Sequence, residues 1–310
     1  MDAKLLVIKP INYAPVALFV YNRPWHTRQT VEALLLNHQS KESDLYIFSD
    51  APRNEAAREA VEEVRGYIKQ VSGFNKVSII ERDANWGLAN SVINGVTILC
   101  NEFGRVIVLE DDLVVSPNFL EFMNSGLAKY EFDEKVMQIA GYMFPVEIEI
   151  SDDALFMPLT SSWGWATWKR AWEQFDASAS SYNMLKNNKK VKYDFDLQGK
   201  YPYFKMLEAY KRNQVQSWAI RWYLSVFVLN GLVLYPKTTL VENVGFDGSG
   251  VNCIASEFPR NPFDPDFIVK KFPHLIEVST NFFDIVKLTP KTKVNFKSYV
   301  KILWKAFKVI

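Results

Sequence analysis

Three carboxylates stand in a row at Glu110-Asp111-Asp112, directly after the apolar run Arg105–Leu109 and before Leu113-Val114-Val115-Ser116-Pro117. Adjacent acids repel one another and are tolerated at the mouth of a sheet when a cation or a donor-rich ligand neutralises them. A hard divalent ion, Mg²⁺ or Mn²⁺, takes one or two carboxylates and completes its shell with water and substrate phosphate oxygens. The ligand such a run suits is a nucleotide diphosphate. The same three residues also make an ordinary solvated acidic turn. Two further polar groups follow apolar runs in the same way: Asn22-Arg23 after Pro15–Tyr21, and Ser49-Asp50 after Asp44–Phe48. Each is turn chemistry in its own right, since Asn-Arg-Pro and Ser-Asp-Ala-Pro favour chain reversal.

What could bring these groups together is the element pattern around them. The spacing predicts strands at 15–21, 44–48, 77–80 and 105–109. Between them it predicts helices from about Thr27, over 55–71 (with Ala57, Val61, Val64, Ile68 and Val71 on one face) and over 90–99. Strand and helix in alternation is the rhythm of an open α/β sheet, mostly parallel, with helices on both faces. In such sheets ligands sit beyond the carboxyl ends of the strands, where the three polar groups fall. The second half changes character: apolar runs at 136–139, 154–157 and 232–235 alternate with Trp-rich segments and helices. Lys186–Lys200 reads as a surface loop or helix end, and Ser256–Asp266, with three prolines, as a loop.

Nine Trp, 14 Tyr and 22 Phe make an aromatic-rich chain, which suits either a Phe-rich core or a carbohydrate or nucleotide site. In Trp163-Gly164-Trp165 a glycine between two rings permits close packing, beside a sugar or at a tight core corner. Trp218 and Trp222 sit four apart on one helical face, as a pocket wall or as core. Two acids, Glu242 and Asp247, precede and enter the Gly-rich stretch Gly245–Gly250, where Asp247 is also a natural turn former. His26, His38 and His274 are scattered, which supports neither a histidine metal site nor a triad. No Gly-x-Ser-x-Gly or Walker-type loop occurs.

The whole chain has 310 residues, 48% hydrophobic and 23% charged, with a formal charge of +1. That composition is globular, and the balance argues against a general nucleic-acid binder. Cys100 and Cys253 provide neither a disulfide framework nor paired zinc spacing, which points to a reducing, cytoplasmic location. No signal peptide and no membrane-length apolar run is read. From Lys287 to the end there are seven lysines and no acid. Phe296, Val300, Leu303, Phe307 and Ile310 share one helical face there. Residues 285–310 thus read as a basic amphipathic tail, either peripheral at an anionic membrane or docked on the body with a solvated lysine face.

The run VIVLEDDLVVSPNFLEFM at 106–123 resembles the metal motif of glycosyltransferases with the GT-A fold, nearest the N-acetylglucosaminyltransferase I type with its Glu-Asp-Asp. Upstream, FVYNRPWHT, IFSDAPRN and ANWGLANSVINGV are similar to that superfamily's nucleotide-binding turns. Downstream, TSSWGWATWKRAW, SWAIRW and LVENVGFDGSGVNC are similar to segments of bacterial surface-polysaccharide glycosyltransferases. The likeness runs from about Val16 to Cys253 in the same order.

The resemblance implies a single GT-A domain over 12–284, with a nucleotide-sugar half at 12–125 and an acceptor half at 126–284. It implies transfer from a nucleotide-diphosphate sugar, most simply a UDP-sugar, to a hydroxyl of a glycan or lipid-linked glycan. Asp112 would hold Mn²⁺ or Mg²⁺, and Asp111 and Glu110 would contact the ribose and the transferred sugar. Asp50 would read the base, and Arg23 beside Asn22 would meet base or phosphates. Asn85, Gly87 and Asn90 would face the nucleotide, while Trp163, Gly164, Trp165, Trp218 and Trp222 would flank the sugars. The chain departs from the eukaryotic relatives where their base stands: Trp218-Ala219-Ile220-Arg221-Trp222 carries no carboxylate. That leaves Asp247 and Glu242 as candidate bases, and inversion as the relatives' habit only. Asn252 and Cys253 stand where bacterial relatives often have His. A sugar-1-phosphate nucleotidyltransferase and an inactive glycan-binding relative are the competing readings.

Overall fold

The computed structural model describes residues 13–247 and 261–288. Its frame is an eight-stranded sheet in the order β3-β2-β1-β4-β8-β6-β9-β7. The strands are β1 (Val16–Val20), β2 (Asp44–Ser49), β3 (Lys76–Glu81), β4 (Arg105–Glu110), β6 (Val136–Ala140), β7 (Ala154–Met157), β8 (Trp165–Trp168) and β9 (Leu232–Pro236). A small antiparallel pair joins β5 (Leu113–Val115) to β10 (Val241–Asn243). β1 pairs in parallel with β2 and β4, and β2 with β3. β8 then runs antiparallel to both β4 and β6, and β7 antiparallel to β9. The sheet is α/β and mostly parallel, as expected, with two reversed strands in its second half.

The α-helices among the described residues are α1 (Pro24–Leu35), α2 (Arg58–Ile68), α3 (Gly87–Phe103), α4 (Phe119–Lys129), α5 (Lys169–Trp172), α6 (Tyr182–Asn187), α7 (Lys189–Phe195), α8 (Tyr203–Lys211), α9 (Trp218–Val228) and α10 (Phe282–Leu288). α1 starts three residues before the sequence expectation because Pro24 occupies its first turn, where a fixed φ helps and a missing N–H is no loss. The Lys-rich stretch forms the end of α6 and all of α7.

Every residue of β1 is buried, because helices cover both faces. Ala17 and Phe19 join the core shared with α3 and α9, while Val16, Leu18 and Val20 join the core shared with α1 and α4. A two-residue period serves both. No helix among the described residues is long and apolar enough to cross a membrane. The tail from residue 289 on, Asn252, Cys253 and residues 256–260 of the expected loop lie outside the described residues.

Candidate functional site

Register brings the polar strand ends together. Phe19 lies opposite both Phe48 and Glu110, so the residues just after β1, β2 and β4 meet along one edge of the sheet. They open into a cavity of about 1040 Å³, lined there by Asn22, Arg23, Asp50, Glu110, Asp111 and Asp112.

At the centre, the Nη2 of Arg23 donates to Asp111 Oδ1 and, at 2.9 Å, contacts Asp112 Oδ2. All three side chains are largely buried. Burial works against the guanidinium charge, but Asp111 and Asp112 outweigh it and hold Arg23 charged well above its ordinary range. Glu110 is pushed up to about 8 by burial, then by Asp112 and Asp111, against the pull of Arg23 and a hydrogen bond from Trp218. Burial likewise raises Asp111, and Arg23 only partly offsets it. The backbone here is pinned from two sides: Thr30 Oγ1 donates to the Asp111 carbonyl at 2.8 Å, and the Val244 N–H to that of Asp112 at 2.9 Å. Gly245 packs so closely on Asp112 that a Cβ at this position would collide with its carboxylate and with Arg23.

Asp50 has a local task. Its Oδ1 accepts from the N–H groups of Ala51 and Trp86, both at 2.9 Å, and its Oδ2 from Gly87 N–H at 2.8 Å. The carboxylate therefore ties the end of β2 to the start of α3, a favourable place for negative charge. Gly87 turns there with φ +72°. Asn85 donates to the Ala51 carbonyl at 2.7 Å and Asn90 to that of Trp86 at 2.9 Å. All four residues line the cavity. Trp86 is 41% exposed at its rim, with Arg82 over one face of the indole at 4.0 Å.

The other side of the cavity is aromatic. Trp163 lines it, edge-on to Tyr142 at 4.5 Å and to Phe246 at 5.6 Å. Trp218 and Trp222 contribute from α9. Gly164, at φ +63°, makes the turn into β8, where a Cβ would meet Val241 and Phe119. Trp165 corrects the expectation of a sugar contact: it is fully buried and stacks on Trp218 at 5.0 Å, so it supports the wall from behind.

The two candidate bases also land elsewhere. Asn243 lines the cavity, but Glu242 does not, since neighbours on a strand face opposite ways. Asp247 does not line it either; its Oδ2 sits 3.2 Å from His26 Nε2. Residues that sequence reasoning passed over include Arg53, Trp86, Tyr142, Tyr201, Tyr203 and Ser217. For the four aromatic ones the surplus of rings was the one visible signal; Arg53 and Ser217 gave none.

Among the described residues, no group of three or more His, Cys, Asp or Glu is arranged so that it could hold a metal ion by itself. The donors present fit a different kind of site. Arg23 uses one oxygen each of Asp111 and Asp112, and burial, then these two acids, raise the neighbouring Glu110. Hard oxygen donors in this number fit a divalent ion that a diphosphate helps to hold.

No protein-family model matches the chain, and no curated protein matches it in sequence. Among solved structures it is similar to the mannosyltransferase PcManGT from Pyrobaculum calidifontis in complex with GDP-Man and Mn²⁺, at 13% identity over 57% of this chain and 52% of that one, TM-score 0.36. It is similar to mouse xyloside xylosyltransferase 1 in its apo form, at 13% identity over 70% and 81% of the two chains, TM-score 0.36. A third is the galactosyltransferase LgtC in complex with donor and acceptor sugar analogues, at 12% identity over 56% and 65%, TM-score 0.33. The match spans about half the length of the mannosyltransferase. Likeness this distant establishes neither a shared family nor a shared chemistry.

Proposed function

We propose that this chain is a GT-A glycosyltransferase that moves a sugar from a nucleotide-diphosphate donor to a hydroxyl of a glycan acceptor. One observation carries the reading: a single cavity joins a charged edge, built on Arg23 and Glu110-Asp111-Asp112, to an aromatic wall built on Trp163 and Trp218. Cleaving a sugar–diphosphate bond puts negative charge on the leaving group, and fixed cationic groups aimed at it are the main demand of the reaction. Arg23, held charged by two acids, is positioned to meet that diphosphate. Asp112 would hold a divalent ion, which stabilises the leaving oxygens as a Lewis acid when bound. Trp86 and the start of α3 border the nucleotide, while Asp50 braces that border. Trp163 and Trp218 offer flat faces to the sugar rings, with Glu110 between the two regions. The motif likeness to surface-polysaccharide enzymes points to a UDP-sugar donor and a glycan or lipid-linked acceptor, with the basic tail near the membrane.

A thermal-shift screen of UDP, GDP, CMP and dTDP, each with Mn²⁺, Mg²⁺ or EDTA, tests this. Ligand at about 100 times its Kd adds about 2.7 kcal/mol of stability. Stabilisation by one diphosphate that needs metal and is lost in Asp112→Ala is the expected result. A shift that persists in EDTA removes the metal role, and no shift with any nucleotide removes the transferase reading.

A further inference from the structure

The charge on the cavity wall is divided sharply along the chain. Every charged residue that lines it, namely Arg23, Asp50, Arg53, Glu110, Asp111 and Asp112, comes from the first 112 residues. From Tyr142 onward, no described lining residue carries a charge. That side presents rings (Tyr142, Trp163, Tyr203, Trp218) interspersed with the hydroxyls of Thr160 and Ser162 and the amides of Gln216 and Asn243. Its phenols do not supply hidden charge: burial pushes Tyr142, Tyr203, Tyr223 and Tyr235 far above the ordinary tyrosine range.

We infer that the aromatic side of the cavity takes an uncharged sugar ring and rejects uronic acids, sialic acids and sugar phosphates. This rests on the glycosyltransferase reading, and names the class of sugar that its second subsite accepts. A neutral sugar has apolar ring faces that stack on Trp and Tyr and hydroxyls that exchange hydrogen bonds with Thr, Ser, Gln and Asn. An anionic sugar would leave water for a wall on which no described residue carries a cation to receive it, and desolvating an unpartnered charge is costly. Glu110, bonded to Trp218 at the boundary, supplies no cation either. The cation closest to it in the cluster, Arg23, belongs to the charged edge, bound to Asp111 and Asp112 on the side proposed for the diphosphate. Selection against anions therefore rests on a wall of rings, hydroxyls and amides that offers no counter-charge among the described residues.

The test pairs sugars that differ by one carboxylate: methyl glycosides of glucose, galactose and mannose against their uronic acids, followed by saturation-transfer NMR on the full chain. At least one neutral glycoside should bind about tenfold or more tightly than its uronate, the discrimination that a fraction of that desolvation penalty supplies. Trp163→Ala should abolish the neutral signal and Trp163→Phe should keep most of it, with the nucleotide thermal shift unchanged in both. Ser162→Lys, which installs a cation on the wall, should raise uronate binding. A uronate that binds the unmodified chain as well as its neutral partner overturns the inference, as does failure of every neutral glycoside to bind. If neutral sugars are preferred but no nucleotide diphosphate stabilises the protein, the transferase reading falls and this one stands.

Discussion

Glu110 carries an energetic debt that pH should reveal. Its carboxyl ordinarily titrates near 4.5 and is pushed up to about 8 in the folded chain, first by burial and then by Asp112 and Asp111. Between those values the folded state binds a proton that the unfolded chain has released, so stability falls as pH rises through that window. The buried Asp111, raised in the same direction, adds to the slope. In EDTA, Glu110→Gln should flatten the decline of melting temperature from about 4.5 to about 8, since the amide has no proton to lose. A melting-temperature profile as steep as that of the parent would remove Glu110 as the source. Asp50, at the same scale, is held by structure alone: its side chain accepts three backbone N–H hydrogen bonds, so its position needs no ligand.

At the scale of elements, the start of α3 decides the shape of the charged edge. Gly87 has φ +72°, and a Cβ there would meet nothing within 4 Å. Substitution is therefore strained by backbone conformation rather than by crowding, and Gly87→Ala should lose about 1–2 kcal/mol in urea unfolding. Gly66→Ala in α2, also with open space but with helical backbone, should gain about 0.5–1 kcal/mol. Equal effects of the two would refute the backbone argument. The first four parallel strands and their helices were legible in the sequence because apolar runs and helical spacing alternate cleanly through residue 110. β8 was not, since all four residues of Trp165–Trp168 are buried and give no alternation to read. Asp50 was visible as a polar strand end, but its partners at 86 and 87 depend on how α3 docks. Trp165 looked like a sugar-stacking ring because residue type does not say which side of the wall a ring occupies. The charge division of the cavity was equally hidden, because it emerges only when residues from nine or more separate segments are brought to one surface.

For the molecule as a whole, one sheet spans both the nucleotide-side and the aromatic-side segments, and one core cluster holds Phe19 and Val108 together with Trp172, Phe204 and Tyr223. We expect the two halves to unfold together: melting followed by far-UV circular dichroism and by tryptophan fluorescence should give coincident transitions. Six tryptophans, from Trp163 to Trp222, report the second half, so separated curves would mean two folding units. The seam between the segments is the antiparallel pair β4 and β8, where Val106 faces Thr167 and Ile107 faces Ala166. This has a consequence for recombination. A chimera that keeps the first 112 residues and borrows a relative's remainder also imports the relative's β8. Its success then depends on whether that strand offers similarly small residues against Val106 and Ile107. The aromatic side of the cavity comes with a piece of the central sheet, so its character is transplanted by point changes along the wall more readily than by exchange of whole blocks.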